Sequence, residues 1–172
     1  MAVKRRDELT ITDNFVFGSV MQNEHICKEL IEAVLGEPIE RVAVHHSEHG
    51  VLPRLTGRGV RLDVYLRGQD GVAYDVEMQN APEAGFERRL GYYRSALDVD
   101  AQGRGVDYEG MCDIIVIFFA RFDPFDKGFR RYDCETRVLQ ANQRLNDGAR
   151  IVVLNSKGTK GEVEGRVEAF LR

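Results

Sequence analysis

Two stretches, Arg61-Leu62-Asp63-Val64-Tyr65-Leu66 and Tyr74-Asp75-Val76-Glu77-Met78-Gln79, alternate apolar and polar residues with a period of two. That period marks half-buried strands. Arg61, Asp63 and Tyr65 share one face of the first strand. Asp75, Glu77 and Gln79 share one face of the second, with Tyr74, Val76 and Met78 behind them. A three-residue loop, Gln69-Asp70-Gly71, with Gly71 in the left-handed conformation, pairs Gly68 with Val72. Counted from that pair, Asp63 stands opposite Glu77, with Cβ atoms ~4.5–5.5 Å apart, where like charges repel. A sheet tolerates such a pair if one carboxyl is protonated or a cation sits between the two.

The chain has 172 residues, enough for one domain with a core. No apolar run is long enough to cross a bilayer. Met1 to Glu8 is charged and lacks the apolar stretch of a signal peptide, so a cytoplasmic location is expected. Cys27, Cys112 and Cys134 are far apart and show no metal or redox spacing, which reads as three reduced thiols. The net charge of −4 argues against a general polyanion binder. It leaves room for local basic surfaces at Lys4-Arg5-Arg6, at Arg88-Arg89 with Arg94, and from Lys127 to Arg131.

Thr12 or Asp13 is expected to cap a first helix that buries Phe15, Phe17 and Val20. Asn23 caps a second, with Ile26, Leu30, Ile31 and Val34 as its apolar stripe and Gly36 and Pro38 as its stop. Arg41 to Val44 reads as a short strand, followed by a polar loop from His45 to Gly50 and an irregular stretch from Pro53 to Gly59. After the hairpin, Ala81-Pro82-Glu83 opens a long helix with Phe86, Leu90, Tyr93 and Leu97 on one face, ended by Gly103 and Gly105. Met111 to Ala120 is apolar almost throughout, as a strand covered on both faces would be. A loop from Arg121 to Gly128, a strand from Phe129 to Val138, a turn at Asn146-Asp147-Gly148, a strand from Ala149 to Leu154 and a closing helix from Lys160 complete the order. A single α/β domain with a central sheet flanked by helices on both faces fits it.

Paired carboxylates with a third polar group on one sheet face suit a hard divalent cation such as Mg²⁺. Such an ion lowers the pKa of a bound water and clamps a phosphate oxygen. Asp63 and Glu77 are the candidate ligands, with the main-chain carbonyl of Met78 as a further oxygen. Asp75 and Glu29 are accessory candidates. Gln79 can hold a water or a phosphate oxygen by hydrogen bonds but carries no charge to stabilise a developing anion. The bland alternative is a solvent-exposed sheet face with scattered acids, one of them neutralised by Arg61.

Asp63 followed by Glu77-Met78-Gln79 on the next strand resembles the PD-(D/E)xK nuclease signature. The closer resemblance is to the bacterial PD-(D/E)xK family of putative transposases, the recombination-promoting nucleases. It extends through Thr12-Asp13-Asn14-Phe15-Val16-Phe17, Tyr92-Tyr93-Arg94-Ser95, Phe122-Asp123-Pro124-Phe125, Leu145-Asn146-Asp147-Gly148-Ala149 and Leu154-Asn155, nearly the whole chain. It implies a restriction-endonuclease-like αβββαβ core with a mixed sheet, and Mg²⁺-dependent (Mn²⁺ as the alternative ion) cleavage of DNA phosphodiesters. Asp63 and Glu77 would hold the ion. Gln79 stands where the wider superfamily has lysine. Arg89 and Tyr93, four apart, resemble the position of a Gln-x-x-x-Tyr element in related nucleases, which makes them, with Arg88, candidate DNA contacts. Core packing is the competing reading of Tyr93. Members of such a family often continue well beyond this length, and the chain ends inside an expected helix, so a domain cut short at its C-terminus is one expectation.

The expected partner is DNA, with a second copy of the chain left open. The rival reading is a nuclease-fold module that binds DNA or a protein without cutting. His45, His46 and His49 read as a polar loop rather than a metal site, and Asp123-Pro124-Phe125-Asp126 as turn chemistry. No Ser-His-Asp or Cys-His spacing suggests covalent catalysis, and no glycine-rich phosphate loop is present.

Overall fold

The computed structural model describes residues 14–51, 60–69, 71–102 and 105–171. The readings at Lys4-Arg5-Arg6, Thr12, Asp13 and Pro53 to Gly59 lie outside those residues, as do the side chains of Phe15, Arg61 and the three loop histidines. Helices α1 (Asn14–Met21) and α2 (Glu24–Leu35) lead into strands β1 (Val42–Val51), β2 (Val60–Gly68) and β3 (Ala73–Gln79). Helix α3 (Phe86–Ala101) crosses to β4 (Ile114–Ala120). Strands β5 (Arg131–Cys134), β6 (Arg137–Val138), β7 (Gln143–Arg144) and β8 (Ala149–Asn155) and helix α4 (Gly165–Leu171) follow. Six strands form one mixed sheet in the order β1-β2-β3-β4-β8-β5. β3, β4 and β8 run parallel at its centre and the outer pairings are antiparallel.

The hairpin forms in the register read from the turn. The Gly68 amide donates to the Val72 carbonyl at 2.9 Å, and Gly71 has φ +84. The ladder then runs from Arg67–Ala73 to Val64–Val76. Helices cover both faces. Phe17, Leu30, Ile31 and Val34 of α1 and α2 pack with Val64, Val76, Met78, Ile117 and Phe119 on one side, with α4 joining through Val167. Phe86, Leu90 and Leu97 of α3 pack with Tyr65, Val116, Phe118 and Val153 on the other. β4 divides its side chains between both cores, as its apolar run requires.

Several boundaries differ from the sequence reading. β1 continues through His45 to Gly50, where a polar loop was expected. β2 supplies a partner for that backbone, with a register shift between Val44 and Ser47 that absorbs an extra residue. α3 starts at Phe86 behind Gly85, not at Pro82, and β4 starts at Ile114, not Met111. The expected strand from Phe129 to Val138 is two strands on two sheets, because β5 pairs with β8 whereas β6 pairs with β7. α4 starts at Gly165, five residues after Lys160. Ile26 is 43% exposed and stands outside the apolar stripe of α2. All three cysteines are free, and burial pushes the Cys27 thiol up to about 12.

The Asn23 side-chain oxygen accepts from the amides of His25 and Ile26, at 3.1 and 3.2 Å, and Gly36 closes α2 in the left-handed conformation. Asn23→Ala should lose about 1 kcal/mol. In a chain of this size that lowers the melting temperature by roughly 2–4 °C, read by thermal denaturation.

Candidate active site

The site sits where the β2–β3 ladder ends. Beyond Val64–Val76 the next residues in register are Asp63 and Glu77, and here carboxylates replace backbone partners. The Asp63 amide donates to Glu77 Oε1 at 2.6 Å, and the Met78 amide donates to Asp63 Oδ2 at 3.1 Å. Leu62 packs in the α3 core whereas Val64 packs in the opposite one, so the face alternation of β2 slips at Asp63. The hairpin register thus brings the two acids together, and a backbone amide of the facing strand holds each.

The acidic face of β3 is not solvated. α3 lies over it, leaving Glu77 1% and Asp75 0% exposed. Asp75 faces Tyr65 on β2 and Val116 on β4, and neither of its oxygens has a hydrogen-bond partner. Burial holds both carboxyls well above the ordinary carboxylate range. For Glu77 the charges of Asp75 and then Asp63 push further up. For Asp75 the nearby Glu77 carboxyl offers partial relief as a hydrogen-bond partner, available once one of the two is protonated.

The cation of the site is Arg89, three residues after Phe86 on α3. Its Nη2 donates to Glu77 Oε2 at 3.2 Å and to the Tyr93 hydroxyl at 3.0 Å. Its Nη1 donates to Gln79 Oε1 and to Glu83 Oε2, the latter at 3.0 Å. The guanidinium carbon lies 4.7 Å from the Tyr93 ring centre and 5.6 Å from that of Phe118. Gln79 is oriented from its other end, its Nε2 donating to the Ala81 carbonyl at 2.8 Å.

The sequence candidates separate as follows. Asp63, Asp75, Glu77, Gln79 and the Met78 backbone converge. Arg89 joins them from inside the fold, as a partner of Glu77 and Gln79. Tyr93 is half-buried, with its ring 5.7 Å from that of Phe118 and its hydroxyl on Arg89. Arg88 is exposed on the outer side of α3. Glu29 is not brought to the cluster. It pairs with His25 and Arg166 at 3.6 Å each, on α2, which packs against the opposite face of the sheet. Glu83, which the sequence did not single out, completes the cage around Arg89. Asp123 is turn chemistry as expected: it accepts from the Phe125 and Gly128 amides and the Tyr132 hydroxyl.

The donor chemistry fits a hard divalent cation. Among the described residues no three acidic, imidazole or thiol side chains form a ready cage. A Mg²⁺ ion ordinarily takes only one or two protein carboxylates, with water and phosphate oxygens completing its shell. Asp63 and Glu77 could supply those two. The Gln79 carbonyl faces β4, where it accepts from the Arg121 amide at 3.0 Å. Backbone groups alternate sides along a strand, so the Met78 carbonyl points to the β2 side, as its amide does. Asp75 adds two buried oxygens without partners beside Glu77.

Among the described residues no helix is long and apolar enough to cross a membrane. No curated protein and no solved structure matches the chain. A family model does, over residues 14–168, a span that takes in every element from α1 to most of α4 together with the Asp63–Glu77 pair. The chain belongs to the PD-(D/E)XK nuclease family transposases, which ties it to nuclease chemistry, to transposition and to DNA as substrate.

Proposed function

We propose that the protein is a metal-dependent DNA endonuclease that hydrolyses phosphodiester bonds in recombination or transposition, with Mg²⁺ or Mn²⁺ as its ion. The observation that carries this reading is the bonding at the end of the hairpin ladder, where the Asp63 amide donates to Glu77 and the Met78 amide to Asp63. Two acids each held by a backbone amide of the facing strand are pre-organised for an ion, where a scattered acidic face would not be. Asp63 and Glu77 hold the ion, and the Met78 carbonyl adds an oxygen. When bound, the ion supplies Lewis-acid charge to a phosphate oxygen and to water.

The remaining work falls to the chain's own side chains. Gln79 orients a water or a phosphate oxygen by hydrogen bonding. It lacks the charge of the superfamily lysine, and Arg89, already on Gln79 Oε1, supplies it. A guanidinium presents several donors in a planar fork that matches a phosphate. The Tyr93 hydroxyl and Glu83 aim that fork. Arg88, exposed on the same helix, contacts the DNA backbone farther out.

Supercoiled plasmid with Mg²⁺ or Mn²⁺ tests the proposal. The parent chain should nick it only with the ion, and Asp63→Ala should lose more than about 100-fold, the upper end for removing even an outer-shell partner of a metal. A second reading, a non-cutting module for DNA or a protein partner, draws on Arg89, whose guanidinium lies 3.2 Å from Glu77 Oε2, where it can stand in place of an ion. Equal nicking by parent and variant, or none by either, would favour it.

A further inference from the structure

The C-terminal edge of the central parallel strands carries a second feature, on the α4 side of the sheet. A cleft of about 370 Å³ opens there, lined by Arg121 after β4, by Ser156 and Lys157 after β8, and by Arg130 and Glu168. In open α/β sheets, ligands bind outside the carboxyl ends of the strands. Among the described lining residues three cations stand against one carboxylate, and Glu168 is engaged by Arg130 at 3.2 Å. The Lys157 ammonium has no partner among the described residues. In a chain of net charge −4, a walled cationic cleft is where an anion is concentrated.

The loop that presents Lys157 is tightly built. Asn155, 1% exposed, donates from Nδ2 to the Phe129 carbonyl at 2.9 Å and accepts the Lys157 amide on Oδ1 at 2.8 Å. A Cβ at Gly158 would lie 2.5 Å from the Phe129 carbonyl oxygen and 2.6 Å from Arg130 Cα, so the backbones pack closer than any side chain permits. The cleft is also in register with the acids. Gln79, Ala120 and Asn155 are aligned across β3, β4 and β8. The Arg121 amide bonds to Gln79 and the Ser156 amide to Ala120. Two strand spacings, about 10 Å, separate β3 from β8. Phosphates on one DNA strand rise ~3.4 Å per nucleotide along the duplex axis, so that span corresponds to a few nucleotides.

We propose that this cleft is a phosphate clamp for DNA: Arg121, Arg130 and Lys157 bind internal phosphodiesters of the strand a few nucleotides from the bond cut at Asp63 and Glu77. The assignment rests on the nuclease reading for its substrate but is read out separately from cleavage. Binding of a duplex without terminal phosphates to the full chain, with no added metal, is followed by fluorescence anisotropy across a salt series. In the double variant Arg121→Ala with Lys157→Ala, the slope of log K against log salt should shrink by about 2, one per lost phosphate contact, alike on unrelated sequences. Lys157→Glu, a change at an exposed side chain, should weaken binding without altering the melting temperature. An unchanged slope in the double variant with unchanged affinity for Lys157→Glu, or a parent chain that does not bind the duplex, overturns the clamp. Asp63-dependent nicking with an unchanged slope removes the clamp and leaves the nuclease. A reduced slope in a chain that never nicks leaves the clamp and removes the nuclease.

Discussion

Arg89→Ala should lower metal-dependent nicking by about 10²–10³-fold, the loss that follows removal of one pre-organised donor from a charge-stabilising site. Gln79 makes the effect large. Its amide can orient an oxygen but cannot neutralise charge that builds on a phosphate, and Arg89 is the one cation in contact with both Gln79 and Glu77 among the described residues. Arg89→Lys should recover only part of the rate. An ammonium restores the charge but not the planar fork that here reaches Glu77, Gln79, Glu83 and Tyr93 together. Tyr93→Phe separates positioning from contact. It removes the hydroxyl that aims the guanidinium and keeps the ring on Phe118, so it should reduce the rate less than Arg89→Ala and leave DNA affinity unchanged. Single-turnover nicking rates of folded variants, checked by melting temperature, provide the measurement. An Arg89→Ala protein that nicks as fast as its parent, or faster, would make Arg89 an occupant displaced by the arriving ion, with no part in the chemistry.

Much of this site was legible before the fold. The turn closed by Gly71, with the Gly68 amide on Val72, fixes the register, and the register places Asp63 against Glu77, because strand pairing counts outward from a tight turn without slack. Apolar periodicity located α2 and the body of α3, because a buried face must repeat, and an unbroken apolar run located β4, because a strand covered on both faces needs one. Element ends were less legible. His45 to Gly50 is polar in composition, yet its backbone pairs with β2, and pairing depends on a partner far along the chain. The acids of β3 were the harder case. Alternation alone makes Asp75 and Glu77 look like a solvated face. Only the β3–α3–β4 connection buries them, since a parallel crossover lays its helix over the sheet. The same burial turned Arg89 from a surface candidate into the partner of Glu77. A sign of this was available in the spacing: Arg89 follows Phe86 by three and precedes Leu90 by one, at the edge of the buried stripe of α3.

The buried acids also set a pH dependence of stability. Asp75 and Glu77 ordinarily titrate near 3.8 and 4.5, and burial raises both well above those values in the folded chain. Above about pH 4 the unfolded chain has released these protons while the folded chain still holds them. The folded state then binds more protons, so metal-free stability falls as pH rises, until the folded groups have themselves ionised. That is opposite in sign to a carboxylate stabilised by an ion pair. Asp75→Asn removes a titrating group whose two oxygens have no hydrogen-bond partner, and its new amide can donate to Glu77. At pH 7 the variant should be more stable than the parent by about 1–3 kcal/mol, the size of one unsatisfied buried polar group. Towards pH 4, where the unfolded Asp75 begins to take up its proton and the folded one already holds it, the difference should shrink. Urea unfolding from pH 4 to pH 8 without divalent ions measures both curves. Parent stability that rises steadily over that range, or a variant no more stable than the parent at pH 7, would mean that Asp75 carries its charge in the fold and has a partner to compensate it. With Mg²⁺ added, the parent curve should lift most at the alkaline end, because an ion that binds ionised carboxylates stabilises only the chain that has released its protons.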